Sequence, residues 1–335
     1  MSGRASYEKE SGRDRFFALL DREMEVLLDP VSGRMRPEVG EHVPCVVCGA
    51  DRPEPLFTKA GLDFVRCAEC ALVYMDPRPN ADALERLYQY ESAANDAWVD
   101  VLLTEAEERF QSRDFGHLLE RVATVRPSGR LLDVGCSIGR LPRIARERGW
   151  DVLGLELGAR AARHAREVYG LPVREERLEV CGFADGAFDV VTLIETLEHV
   201  PDPRALLEEI HRILAPGGAF LVGVPNVASL GVLVLGPLAR TFNRNHLVYY
   251  DARTLSRLLA AVGFEVVEVL SAVSVLDSVL NHLQGYDPFA APATDRLPPA
   301  FAQRLEAPEE RARMDRWIEA AGLGYRLRIL ARKPA

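Results

Sequence analysis

From Arg130 onward, short apolar runs alternate with amphipathic helical stretches, and that alternation admits few folds. Runs at 130–134, 151–156, 172–174, 188–194 and 218–224 read as strands joined by crossover helices, which lays them side by side in a parallel sheet. Two further runs, 264–270 and 324–332, are separated by a long helical insertion instead of one crossover, so an antiparallel pair at the sheet edge is expected. The expected fold class is α/β, with a seven-stranded, mostly parallel sheet. Asp251 and Gly263 bracket a helix expected over 253–262, Asp accepting from the first free N–H groups and Gly supplying the left-handed exit.

Ahead of this pattern, residues 13–28 place apolar groups at helical spacing, and a Pro/Gly-rich stretch at 29–44 leads to two cysteine pairs. Asp76-Pro-Arg-Pro79 closes that module, and helical patterns such as 81–88 and 115–122 follow. The expected organisation is an N-terminal helix and cysteine module over 1–80, a helical bridge over 81–127 and the sheet domain over 128–335. Cys45-x-x-Cys48 and Cys67-x-x-Cys70 stand 18 residues apart, a spacing that turns four thiolates toward one tetrahedral zinc ion. With no ligand position left open, such an ion is structural. Disulfides are the alternative, disfavoured in a reducing compartment. Cys136 and Cys181 stand apart from the four and are expected to pack as small apolar residues.

The chain opens on a polar stretch without the apolar core of a signal peptide, so a cytoplasmic protein is expected. Residues 213–239 carry no charge and could span a bilayer, but Pro216-Gly-Gly218 and Pro225-Asn226 break a helix there. A buried strand followed by an apolar cover is expected instead, and no membrane partner. The 41 basic and 50 acidic residues leave a net charge of −9, which repels nucleic acid and favours a small-molecule partner. The arginines of Arg140–Arg148 are expected as a solvated helix face.

In Leu131-Leu-Asp-Val-Gly-Cys-Ser-Ile-Gly-Arg140 a strand runs into a tight loop and then a helix. Gly135 and Gly139 are spaced G-x-x-x-G, not as the G-x-G-x-x-G of dinucleotide sites, and Asp133 stands ahead of them. An acid there suits the ammonium end of an amino-acid-bearing cofactor. Glu156, 23 residues beyond Asp133 at the end of the second strand, suits two ribose hydroxyls.

Residues 128–270 resemble class I S-adenosylmethionine-dependent methyltransferases, whose blocks recur in order as Phe183–Asp189, Leu197-Glu-His-Val-Pro-Asp-Pro203, Arg212–Gly218 and Val224-Pro-Asn226. The resemblance implies a Rossmann-like fold with S-adenosylmethionine held by Asp133, Gly135, Cys136, Gly139, Glu156, Leu157, Leu178, Ile194 and Glu195. It departs at Arg177, where many members carry Asp at the adenine. Together with the cysteine module, the chain resembles bacterial zinc-ribbon methyltransferases of sugars, polysaccharide precursors and natural products, which implies O- or C-methylation. A related ribbon in some ribosomal RNA methyltransferases supplies a second reading, RNA methylation, and a non-catalytic scaffold of the same fold is a third.

Methyl transfer needs alignment and often a base beyond the carboxyl ends of the fourth and fifth strands. Glu198, His199 and His246 are the candidates; each histidine could equally be a loop anchor. Glu195-Thr-Leu-Glu-His199 also resembles the ubiquinone-pathway O-methyltransferases, which implies a possible divalent metal on Glu195, Glu198 and His199. Val227–Ala239 is expected to cover the acceptor and exclude water.

Overall fold

The computed structural model describes residues 13–87, 92–273, 276–283 and 297–335. Helix α1 (Arg13–Met24) leads into the short strand β1 (Gly40–Glu41), then β2 (Pro53–Lys59), β3 (Leu62–Cys67), β4 (Val73–Met75) and β5 (Arg78–Pro79). Helices α2 (Ala81–Leu87), α3 (Ala93–Leu102) and α4 (Glu105–Val125) follow, so the expected 81–88 helix is described up to Leu87 and Tyr88 lies outside the described residues.

The main sheet then begins. Strand β6 (Arg130–Val134) is followed by α5 (Arg140–Glu147), β7 (Asp151–Leu155), α6 (Ala159–Glu167), β8 (Val173–Arg174), β9 (Phe188–Ile194), α7 (Pro203–Ile213) and β10 (Leu214–Pro225). After β10 come α8 (Leu230–Leu235), β11 (Val248–Tyr249), α9 (Ala252–Val262) and β12 (Glu265–Ala272). Helices α10 (Leu276–Leu283), α11 (Pro299–Glu306) and α12 (Pro308–Ala320) lead to β13 (Arg326–Arg332). Residues 284–296 of this expected helical insertion lie outside the described residues.

The seven-stranded sheet has the order β12-β13-β10-β9-β6-β7-β8. Strands β6 to β10 are mutually parallel, and β13 runs antiparallel to both β10 and β12, the expected edge pair. Its central strands carry long apolar runs because both faces are covered: Val190, Val191, Phe220, Leu221 and Val222 are all solvent-inaccessible. Strand order reverses between β6 and β9, and a cleft opens beyond their carboxyl ends, where open α/β sheets bind ligands. Asp251 caps α9 reciprocally with Thr254, and Gly263 ends it at φ 106°.

One core face joins Leu132, Val191 and Phe220 to α7 and α9, and continues without a break into Cys45, Cys67, Leu72 and Tyr74 of the cysteine module. The opposite face packs Leu131, Val190 and Leu221 against α4, α5 and α6. The second sheet has the order β11-β4-β3-β2: a strand from the far side of the chain completes the cysteine module, Val248 pairing with Tyr74 and Tyr249 with Val73.

Two local expectations are corrected. The strand expected at 218–224 begins at Leu214, its register interrupted before Ala219 where Pro216-Gly-Gly218 bulges out of the ladder. Arg140 is not on a solvated face. It is 2% exposed, held by the Glu108 carboxylate, the Gln111 side-chain oxygen and the Leu102 carbonyl, because α4 and the end of α3 lie across the start of α5.

Candidate active site

The loop after β6 is strained toward glycine. Gly135 sits at φ 76°, and a Cβ there would lie 2.4 Å from Thr196 Oγ1. The N–H groups of Gly135 and Cys136 both donate to the Leu155 carbonyl, at 2.8 and 2.9 Å, so the loop is pinned to β7. Gly135→Ala therefore combines a left-handed alanine with a steric clash. Expected are a loss of roughly 1–3 kcal/mol in thermal unfolding and a weaker cofactor affinity by calorimetry. Gly139, at φ 83°, faces Ala165 and Leu171, either of which a Cβ would approach to 2.7 Å, so it allows close packing on α6.

Beyond the loop lies a cavity of about 1810 Å³. That exceeds the roughly 300–1,000 Å³ of a single drug-sized pocket, so it has room for a cofactor and a second ligand. Asp133, Gly135, Cys136 and Glu156 line one part of it, with Leu157, Leu178, Ile194 and Glu195 beside them. Asp133 is 3% exposed and accepts the Thr192 hydroxyl at 2.6 Å; burial, with Glu156 adding, pushes its carboxyl up to about 7. Glu156 accepts from the Ser137 N–H at 2.8 Å and the Gly158 N–H at 2.6 Å, and burial raises its carboxyl too. Two backbone donors thus fix the plane of a carboxylate that faces the cavity, an arrangement suited to a ribose diol. The donor set fits S-adenosylmethionine: an acid at the strand end, close-approach backbone at Gly135, and Glu156 on the neighbouring strand.

The other part of the cavity holds Glu198, His199 and His246. His199 Nδ1 lies 2.8 Å from the Asn245 carbonyl, which can only accept, so this nitrogen carries the proton and Nε2 presents its lone pair. That Nε2 is 3.9 Å from Glu198 Oε1, and His246 Nε2 is 4.0 Å from the same oxygen. Glu198 is 1% exposed and neither carboxyl oxygen has a hydrogen-bond partner. Burial, with Glu195 adding, holds its carboxyl far above the usual range, while burial lowers both imidazoles and keeps them neutral.

Glu195 departs from the expected metal trio. It takes φ 52° directly after β9, and its Oε1 accepts Arg328 Nη1 at 2.6 Å. The ligand atoms that converge, all within 4.8 Å of one another, belong to Glu198, His199 and His246.

Backbone bonds tie this cluster to the cysteine module. The Leu247 N–H donates to the Glu198 carbonyl at 2.8 Å, and the Met75 N–H donates to the Leu247 carbonyl at 3.0 Å. The Tyr249 hydroxyl, with one proton to donate, lies 3.0 Å from both the Asn243 and the His246 carbonyl. Within the module, Cys45 and Cys70 Sγ lie 3.4 Å apart and Cys48 and Cys67 Sγ 3.5 Å apart, all four unoxidised. Four thiols this close, too far apart for disulfides, match tetrahedral ligation at Zn–S distances of about 2.3 Å. Each knuckle folds back on itself, the Gly49 N–H donating to the Cys45 carbonyl and the Ala71 N–H to the Cys67 carbonyl, both at 2.8 Å. Cys136 is buried and Cys181 half-buried, away from the four.

Sequence reasoning missed several residues at the cavity. Phe16 and Phe17 of α1, Trp98 of α3 and Tyr325 before β13 all line it, and Arg240 lies over the Phe17 ring at 4.7 Å. No local signal marks them, since helix α1 and the last strand reach the cavity only through tertiary packing. The expected cover is a short helix, α8, whose Leu235 faces the cavity while Leu233 and Val234 are exposed. Among the described residues, no helix is long and apolar enough to cross a membrane.

A family model described as a methyltransferase domain matches residues 106–269. The ubiquinone biosynthesis O-methyltransferase of Psychrobacter arcticus is 40% identical over 105 residues, 29% of this chain and 41% of that protein. A Mycolicibacterium smegmatis protein, named as a probable S-adenosylmethionine-dependent methyltransferase, is 31% identical over 167 residues, 49% of this chain and 63% of its own length. The chain thus spans about two fifths to three fifths of these relatives. The crystal structure of an S-adenosylmethionine-dependent methyltransferase from Archaeoglobus fulgidus aligns with 68% of this chain and 97% of its own, at 18% identity and a TM-score of 0.45. Residues 106–269 are thus similar to a methyltransferase domain, and the sheet order and the loop at Asp133–Gly139 agree with that likeness.

Proposed function

We propose that the protein transfers the methyl group of S-adenosylmethionine to a small-molecule acceptor, a sugar, polysaccharide precursor or natural product, releasing S-adenosylhomocysteine. One observation carries this reading: a single cavity is lined by Asp133 and Glu156 and also by Glu198, His199 and His246, with room for two ligands. In O-methylation the acceptor oxygen forms a bond to the methyl carbon as the carbon–sulfur bond breaks, and the acceptor's proton passes to a base. His199 or His246, neutral and facing the cavity, suits that role. The aromatic rings of α1 and α3 and Leu235 of α8 would seat the acceptor and keep water out. We also propose that Cys45, Cys48, Cys67 and Cys70 hold a structural zinc ion. Calorimetry with S-adenosylmethionine and S-adenosylhomocysteine tests the reading; binding of neither by purified protein removes it. An acidic chain that shows salt-sensitive RNA binding would instead favour RNA methylation.

The unpartnered carboxyl of Glu198 between two neutral imidazoles favours a second reading of the same site. Two histidines and one carboxylate can ligate a divalent cation, and the His199 Nδ1–H bond to a carbonyl is the usual outer support for such a ligand. This reading expects turnover to rise on adding magnesium or manganese to zinc-loaded protein and to lose that response in His246→Ala. Turnover indifferent to both metals rules it out.

A further inference from the structure

Arg328 is solvent-inaccessible, and only the absence of a side chain at Gly223 makes room for it: a Cβ there would come within 2.3 Å of its Nη1. Its hydrogen-bonded carboxylate is Glu195, at 2.6 Å, and the Glu195 N–H donates to the Gly223 carbonyl at 2.8 Å. Asp114 lies 3.8 Å from Arg328 Nη2 but is engaged by Arg326 at 3.0 Å, while Arg328 Nε and Nη2 have no hydrogen-bond partner. The Glu195 side chain is 32% exposed and lines the cavity, next to Thr196, which abuts Gly135 of the cofactor loop. A carboxylate therefore stands between the cofactor end of the cavity and a buried cation.

A buried cation close behind a ligand site is weakly screened. The methyl donor carries a sulfonium charge that its product lacks, and the two molecules are otherwise alike at the amino-acid and nucleoside ends. The local potential at the sulfur thus decides how strongly the site prefers donor over product. We propose that Glu195 and Arg328 form a balanced charge pair that sets this preference, with Arg328 a positioning residue that never touches the cofactor. The proposal rests on the methyl-donor reading above.

Dissociation constants for S-adenosylmethionine and S-adenosylhomocysteine, measured by calorimetry on the full chain at low salt, test it. Their ratio cancels any loss common to both ligands, which a merely structural role would produce. Glu195→Gln uncovers the arginine, and the ratio is expected to shift against S-adenosylmethionine by about tenfold. Adding Arg328→Met to Glu195→Gln is expected to bring the ratio back to within about threefold of the unaltered protein. Arg328→Lys, which keeps the charge, is expected to hold the ratio as well.

An unchanged ratio in Glu195→Gln overturns the proposal, and so does a ratio still displaced in the double variant. Should Glu195→Gln fail to fold, the double variant, free of buried charge at this pair, still decides: a tenfold departure from the unaltered ratio refutes the charge-pair role. Failure of the unaltered protein to bind either ligand overturns the methyl-donor reading together with this one.

Discussion

Stripping metal from the four-cysteine cluster is expected to abolish methyl transfer and to lower the melting temperature by at least about 10 °C. The stability part follows from the size of the contribution. Structural zinc supplies roughly 10–16 kcal/mol in small zinc-binding units, and 1 kcal/mol moves the melting temperature of a 150–250-residue domain by about 2–4 °C. Even half of that contribution therefore amounts to at least about 10 °C. The catalytic part follows from the backbone path Met75–Leu247–Glu198 and from the pairing of β11 with β4, which hold the loop carrying His246. Cys67→Ser should reproduce both losses. Elemental analysis should find about one zinc per chain in protein purified without chelator. Metal-free protein with undiminished melting temperature and turnover would show that the cysteines pack without an ion.

His246→Ala and His199→Ala are expected to lower turnover by about 10²–10⁴-fold while cofactor affinity stays within about threefold. The separation is expected because neither histidine holds Asp133 or Glu156, which are fixed by Thr192 and by the Ser137 and Gly158 N–H groups. Glu198→Gln separates two roles of the neighbouring acid. Burial holds Glu198 uncharged, so an amide of the same shape should preserve turnover if the acid only supports the histidines, and should abolish the metal response if it is a ligand. Turnover by single-turnover assay and affinity by calorimetry check both. Parallel losses of affinity and turnover would make the histidines part of the cofactor site.

What could be read in the sequence is what is local. The loop at Asp133–Gly139 shows because strand, turn and helix follow one another within a few residues, and the cysteine pairs show because a knuckle is itself a local turn. The Asp251 and Gly263 caps likewise depend on their immediate neighbours. Arg140 misled for the complementary reason. Its own helix gives it charged company, and only α4 folding across it turns the position inward. The Glu195-x-x-Glu198-His199 spacing could not reveal that Glu195 belongs to Arg328, since β13 reaches β10 only after a long helical insertion. His246 was visible as a loop residue, but its approach to Glu198 comes from tertiary packing.

The pairing of β4 with β11 joins residues separated by more than half the chain's length. During synthesis the outer strand of the cysteine module leaves the ribosome long before its partner exists, so its edge stays open until Tyr249 has been made. Such late closure raises contact order and slows folding. It also means that truncating the chain after β5 leaves a ribbon with an exposed edge, and starting it at β6 leaves an orphaned strand beside His246. Grafting either half onto another protein would require carrying its partner strand along.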